Sequence, residues 1–289
     1  MKKMFFMLLA VLCLQHVVAE KPNSKFGGVQ IGAITYSFRT MPDQSLEAML
    51  NYSLQSGLSS VELLSDAVER YAGRPEGREA IKQWRTTVSM DKFKEVKKMF
   101  NKQGVKIHLL NMGVAGWSDE EIDYAFKVSK ALGAKGIAME ISEDAAKRMA
   151  PFADKHKFNV VFHNHGQPGN PDFSFDKMLA YGPRLMLNLD VGHYYSATGL
   201  NPCDLIRRLH NRIFSLHLKD KTWAGSYDKS DNLPFGKGGT PIVEILQLVR
   251  NEKWPIYCDI ELEYAIPQGS DDVKEVIKIV DYCRKALVK

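Results

Sequence analysis

Cysteine is scarce in this chain: four in 289 residues, none in a Cys-x-x-Cys pair. Such spacing builds neither a zinc knuckle nor a disulfide framework. With Cys13 in a leader segment argued below, Cys203, Cys258 and Cys283 remain. They read as buried free thiols, although an oxidising compartment would allow one bridge. Long apolar runs are missing beyond the N-terminus, and a bilayer span needs about 20 apolar residues. Linkers, low-complexity tracts and internal repeats are missing too, so the chain reads as one domain. Nor is one sign of charge in large excess. Lys and Arg number 39 against 34 Asp and Glu, a formal +5, which calls for neither nucleic acid nor an anionic membrane as partner. What is there is ordinary globular composition, 45% hydrophobic, 25% charged and 10% aromatic. It excludes a disordered or collagen-like chain, and the length can bury one large core.

The N-terminus departs from that pattern. Met1-Lys2-Lys3 is a short basic start, Met4 to Leu14 is apolar, and Val17-Val18-Ala19 places small residues before Glu20. This is the layout of a secretory signal peptide cut near Ala19. Leu12 before Cys13 is too large for a lipoprotein signal. The expectation is therefore a leader over residues 1–19 and an exported, periplasmic domain over 20–289. Losing Lys2 and Lys3 lowers the formal charge from +5 to +3.

Eight short apolar segments recur down the rest: Val29–Tyr36, Ser60–Leu64, Val105–Asn111, Gly136–Ile141, Asn159–His163, Leu185–Asp190, Ile213–Leu218 and Ile256–Leu262. Most are continuous apolar runs, as strands buried on both faces should be. Helical spacing predicts helices over Ser45–Ser56, Met90–Gln103, Asp119–Leu132, Ala145–His156, Pro241–Asn251 and Asp271–Leu287. Gly57, Gly104 and Gly133 follow three of these helix ends, where glycine turns the chain back towards a strand. Alternating strands and helices imply parallel βαβ units. Eight of them fit an α/β (β/α)8 TIM barrel, for which about 250 residues is typical. A doubly wound sheet would show a glycine-rich phosphate loop after the first strand, and Ile34-Thr35-Tyr36-Ser37-Phe38 is not one.

In such a barrel the reactive groups lie at the carboxyl ends of the strands. Those ends carry Met139-Glu140, His163-Asn164-His165, Asp190-Val191-Gly192-His193, His217-Leu218-Lys219-Asp220 and Glu261-Leu262-Glu263. Polar residues thus replace apolar ones on five consecutive strands. Three or more carboxylates at one mouth repel one another unless protons or a cation neutralise them. Imidazoles beside them point to a divalent metal. Glu140, Asp190, His217 and Glu261 would make a mostly oxygen site suited to Mn²⁺, with Mg²⁺, Co²⁺, Zn²⁺ or Fe²⁺ as alternatives. Trp117 and Trp223 follow the third and seventh strands, where an aromatic wall could stack on a sugar. Phe235-Gly236-Lys237-Gly238-Gly239 looks superficially like a phosphate cradle but reads as a turn before the helix at Pro241. His108 and His210 read as structural.

From Ile31-Gly32 to the last helix, the chain resembles the xylose isomerase-like TIM-barrel superfamily, often labelled sugar phosphate isomerase/epimerase. The likeness rests on Glu140, Phe162–Gly166, Leu189–His193, His217–Asp220 and Ile260–Glu263. It implies a metal held by Glu140, Asp190, His217 and Glu261, with Glu263 as the alternative on the eighth strand because it shares the side-chain parity of Glu261. It also implies a divalent ion that chelates a sugar carbonyl and hydroxyl and so acidifies the adjacent C–H. Glu140 and Glu261 would be the acid–base pair working through an enediolate, burial raising one of their pKa values. His193 and Lys219 would contact substrate, and His163 and His165 would face the cavity or support it.

Four function classes follow. A metal-dependent isomerase or epimerase of a keto- or aldo-sugar comes first. A lyase, dehydratase or hydrolase-like enzyme cleaving 3-keto-glycosides by β-elimination shares the same enediolate. A nuclease of the AP-endonuclease type would place further histidines on early strands, yet no histidine of residues 20–289 precedes His108, and Tyr227-Asp228-Lys229 stands where that type has Asp-x-His. A non-catalytic sugar-binding protein would lose one glutamate of the pair, and both are present. Export argues for a neutral sugar over a sugar phosphate, with no nucleic acid and no integral membrane span.

Overall fold

The computed structural model describes residues 21–288, so the expected leader lies outside the described residues. Eight parallel strands form the barrel: β1 (Val29–Ile34), β2 (Ser60–Leu64), β3 (Lys106–Asn111), β4 (Gly136–Glu140), β5 (Asn159–His163), β6 (Leu185–Asp190), β7 (Ile213–Leu218) and β8 (Tyr257–Ile260). Each pairs with its sequence neighbour, and β1 pairs in parallel with both β2 and β8, which closes the ring. This is a single-domain TIM barrel. A two-residue strand, Lys25–Phe26, adds antiparallel to the start of β1.

Around the ring run α1 (Leu46–Gln55), α2 (Ser65–Tyr71), α3 (Arg78–Thr87), α4 (Asp91–Lys102), α5 (Asp119–Leu132) and α6 (Glu143–His156). They are followed by α7 (Phe175–Leu179), α8 (Val191–Thr198), α9 (Pro202–Leu209), α10 (Ile242–Glu252) and α11 (Asp272–Leu287). The strands lie within two residues of the sequence expectation. Seven of these eleven helices start on a side chain that satisfies an otherwise unpaired amide. Ser118, for example, caps α5 in a reciprocal box with Glu121. Gly57, Gly104 and Gly133 all have positive φ at their helix ends. Helices α2, α3 and α7–α9 escape the sequence pattern. α3 buries no residue completely; its short apolar side is Ile81 and Trp84, the latter packed on Phe93 and Tyr124.

The main apolar core fills the space between strands and helices, where residues such as Ile31, Val61, Phe100, Phe126, Leu187 and Ile245 are fully buried. Each such side chain stabilises the fold by about 1.5–3 kcal/mol relative to exposure. Inside the barrel the apolar contribution is small: Leu109, Ala138 and Val161, with Met186 and Phe214 against them. The remaining interior is polar. Low in the barrel, His108 lies between Ser60 Oγ (2.9 Å) and Asp259 Oδ2 (2.8 Å) and stacks on Tyr257. A Cβ on Gly32 would overlap the Asp259 carboxylate, so glycine is required there. His210 stacks on Trp254 outside the barrel. Cys203, Cys258 and Cys283 are buried and free. Among the described residues, no helix is long and apolar enough to cross a membrane.

Candidate functional site

Asp190 ends β6 and begins α8, and both roles fix its carboxylate. As N-cap, its Oδ1 accepts from the His193 amide (2.6 Å), while Asn164 pairs with its backbone on both sides. Its Oδ2 is left buried with no hydrogen bond, aimed into the barrel mouth. Gly192 makes this possible: a Cβ there would overlap the Lys219 carbonyl oxygen, so only glycine lets α8 start hard against β7. Burial works against ionisation of Asp190, but the His193 and Lys219 side chains and His163 hold its carboxyl below the usual range.

His217, at the inner face of β7, stands between two carboxylates. Nδ1 lies 2.9 Å from Glu261 Oε2 and Nε2 lies 3.0 Å from Glu62 Oε2. Although burial disfavours the imidazolium, the two acids raise its pKa to about 10. Glu62 was not singled out in the sequence. It is fully buried on β2 and accepts from Asn111 and Asn188 (both 2.8 Å) as well as His217. The pairing of β2 with β3 slips between Val61 and Glu62, and that of β6 with β7 slips between Leu187 and Asn188. Bulges commonly re-aim side chains near active sites, and these two feed one hydrogen-bond network. A lone acid within an apolar strand, Ser60-Val61-Glu62-Leu63-Leu64, was the available signal.

His163 separates Glu140 from the other acids. Its Nδ1 is 3.4 Å from Glu140 Oε1, and its Nε2 faces Asp190 Oδ2 (3.5 Å) and Glu261 Oε2 (3.7 Å). The group that converges is His163, Asp190, His217 and Glu261, with one ligand atom from each within 4.8 Å of the rest. Glu140 was expected in that set, yet here it lies one imidazole away, also touching His165 Nε2 at 3.2 Å. Its side chain is 65% exposed to the cleft. The shelter of the rim opposes its ionisation, but His163 and His165 bring its carboxyl down to about 2. Burial was expected to raise one glutamate of the Glu140–Glu261 pair. The imidazoles, and Lys219 beside Glu261, outweigh it in both.

Lys219 is almost completely buried beneath the cleft. Its Nζ meets Glu263 (2.7 Å), Glu261 (3.1 Å) and Asp190 (3.3 Å), and donates to His193 Nε2 at 2.7 Å. An ammonium only donates, so His193 Nε2 accepts and its Nδ1 carries the proton, directed at the Tyr227 hydroxyl (3.1 Å). Burial brings His193 down to about 3, keeping it neutral. Glu263 pairs with Lys219 and Glu261 with His217, so Glu261 is the eighth-strand acid inside the four-residue group.

The cleft above these groups has a volume of about 200 Å³. Glu140, His163, His165, His217, Glu261 and Glu263 line it, with Tyr36 and Asn111. Neither expected tryptophan does. The Arg85 guanidinium covers Trp117 at 3.6 Å, and Trp223 is exposed beside Gly199. Tyr36, just past β1, is the aromatic side chain at the mouth. The glycine-rich loop is a turn, as expected, and its amides are spoken for: Gly236 and Gly238 donate to Asp220 Oδ2, and Thr240 donates to Asp220 Oδ1.

Two imidazoles and two carboxylates converge beside a cleft, and two of their atoms, His163 Nε2 and Asp190 Oδ2, are buried without a hydrogen bond. Buried polar atoms are rarely left so. The set fits a divalent transition-metal ion, for which carboxylate and imidazole are usual ligands.

A sequence family described as xylose isomerase-like TIM barrel matches residues 65–284. The chain belongs to that family. No curated protein sequence matches this xylose isomerase-like chain. Among solved structures, a sugar phosphate isomerase/epimerase from Parabacteroides distasonis superposes with a TM-score of 0.62 at 19% identity, over 91% of this chain and 96% of that one. The probable 3-DHS dehydratase AsbF of Bacillus anthracis gives 0.63 at 15%, over 88% and 99%. The 3-keto-D-glucoside 4-epimerase YcjR of E. coli gives 0.61 at 11%, over 89% and 99%. At these identities the likeness is one of fold. The superfamily includes sugar isomerases and epimerases, which supports an enzyme.

Proposed function

We propose that this protein is a divalent-metal-dependent isomerase or epimerase of a small neutral sugar, working by proton transfer at a carbon next to a carbonyl. One observation supports the reading: His163 Nε2 and Asp190 Oδ2, buried without a hydrogen bond although Lys219 stands 3.3 Å from the carboxylate, converge beside a cleft walled by Glu140 and Glu261. His163, Asp190, His217 and Glu261 would hold the ion, and two imidazoles with two carboxylates suit Mn²⁺, Fe²⁺ or Zn²⁺. Glu140 would orient His163 from behind, as carboxylates do for metal-bound imidazoles. The ion would supply Lewis acidity, lowering the pKa of the C–H beside the carbonyl.

The chain's own groups do the rest. Glu140 is ionised and open to the cleft, so its carboxylate, held at Oε1 by His163 and His165, is placed to take the carbon-bound proton. Glu261 is the second carboxylate at the cleft, and proton return from its side would invert or relocate the centre. Lys219 anchors Glu261 and Glu263, so neither acid swings freely. Asn111 and His165 offer hydrogen bonds to substrate hydroxyls, and Tyr36 offers a ring face. A cleft of about 200 Å³ lies below the range usual for drug-sized ligands, which favours a single sugar unit. Cleavage of the leader near Ala19 and export would set the substrate apart from cytoplasmic sugar phosphates.

The test is incubation with ketoses and 3-keto-glycosides in D₂O, read by NMR. Deuterium next to the carbonyl with an isomerised product is expected. Loss of a β-substituent instead would indicate elimination. Glu140→Gln and Glu261→Gln should each cut turnover about 10²–10⁴-fold. Exhaustive chelation should abolish it and added Mn²⁺ restore it. Full activity after chelation would overturn the metal.

A further inference from the structure

The small net charge conceals a segregated one. At the end of the barrel opposite the mouth, the turns that lead from helices into strands gather cations. Lys97 comes from the middle of α4 and Lys130 from the final turn of α5, Lys106 opens β3, and Lys135, Lys157 and Arg184 precede β4, β5 and β6. These six line two adjoining clefts of about 460 and 350 Å³ that share Lys97, Gly133 and Lys135. No carboxylate lines either cleft. Arg184 reaches Asp154 only at 3.8 Å, and Lys130 donates to the His156 carbonyl. Lys97, Lys106, Lys135 and Lys157 are exposed and make no ion pair among the described residues.

The chain also enters the barrel here. Lys21 packs on Gly104, in space that a side chain at residue 104 would take, and Lys25 begins the short strand beside the start of β1. The clefts are not shaped for one small anion. The one buried polar side chain that lines them, His108, has both ring nitrogens taken by Ser60 and Asp259, and the ammonium groups stand on flexible stems spread over several turns. Such a spread matches a sheet of fixed negative charge. A polybasic surface of this kind draws a protein onto anionic lipid within a Debye length. A single arginine and a half-buried Phe158 offer little to read or stack on nucleic-acid bases.

We propose that this basic face docks the protein on the surface of an anionic phospholipid bilayer, with the catalytic mouth turned towards the solvent. The test is co-sedimentation of residues 20–289, which carry every strand and helix of the barrel, with vesicles. Binding is expected to an equal mixture of phosphatidylglycerol and phosphatidylcholine, not to phosphatidylcholine alone. It should fall at least about tenfold between about 0.1 M and about 1 M salt. K97E/K135E/K157E should lower it at least about tenfold, and K82E/K229E/K237E, the same charge change on exposed lysines at the mouth end, should leave it unchanged. Thermal melting checks that both variants fold, and K97Q/K135Q/K157Q must give the same ranking with a milder change. Equal loss in both variants, equal binding to neutral vesicles, tighter binding to duplex DNA, or displacement by inorganic phosphate at constant ionic strength would each overturn the proposal.

Discussion

Glu62 shows how a site residue hides in plain sequence. Asp190, His217 and Glu261 were legible because each lies within one residue of a strand's carboxyl end, where polar residues break an apolar run. Glu62 sits inside its strand, and only the bulge beside it turns the carboxylate towards His217. His163 was legible as a cavity residue, but its place between Glu140 and Asp190 depends on ring orientation, which spacing does not encode. The role of Glu62 is measurable. Glu62→Leu leaves the His217 imidazolium with one acid instead of two and should cost about 3 kcal/mol in denaturant unfolding. Glu62→Gln keeps the side-chain volume and one of the two acceptor oxygens that Asn111 and Asn188 use, so it should destabilise less than Glu62→Leu, yet lose about 10–100-fold in metal affinity or turnover.

At the scale of elements, strands were easier to read than helices. A strand buried on both faces announces itself as an apolar run, whereas the apolar side of α3 is little more than Ile81 and Trp84, too few positions to set a period. The junction of β6 and α8 is where element packing meets chemistry. Gly192→Ala should push α8 away from the Lys219 carbonyl, cost about 1–3 kcal/mol and carry Asp190 and His193 out of register. The denaturation midpoint and metal binding should fall together. A second junction reports on pH. Asp123 of α5 meets Lys155 and His156 of α6, and despite partial burial these partners hold its carboxyl below its ordinary value. A depressed carboxyl adds stability above its unfolded pKa of about 3.9 and loses it as the pH falls further. The stability gap between the parent protein and Asp123→Asn, about 0.5–1 kcal/mol, should therefore hold at neutral pH and close below about pH 4.

The whole molecule is one closed ring, and its thiols lie in that ring's wall and packing layers. Cys258 sits on β8, and burial pushes its thiol well above the ordinary value; Cys283 on α11 is pushed up to about 12. A thiol reagent should label none of Cys203, Cys258 and Cys283 in the native protein and all three after denaturation. Reductant should leave the melting temperature unchanged. Labelling of native protein, or a melting temperature lowered by reductant, would contradict the packing. The even balance of acid and base in the composition also takes on meaning only at this scale, because folding brings Lys97, Lys106, Lys135 and Lys157 together at one end of the ring.

The turn around Asp220 has a bearing on what the mouth will accept. Gly236, Gly238 and Thr240 point their amides inward as a phosphate-binding turn would, but the anion they enclose is part of the chain. The protein brings its own occupant to that nest and closes it during folding. A phosphorylated sugar would find no vacancy there, only a carboxylate of like charge. Discrimination against phosphate esters can thus reside in the backbone that shapes the mouth, independent of any side chain that touches the sugar.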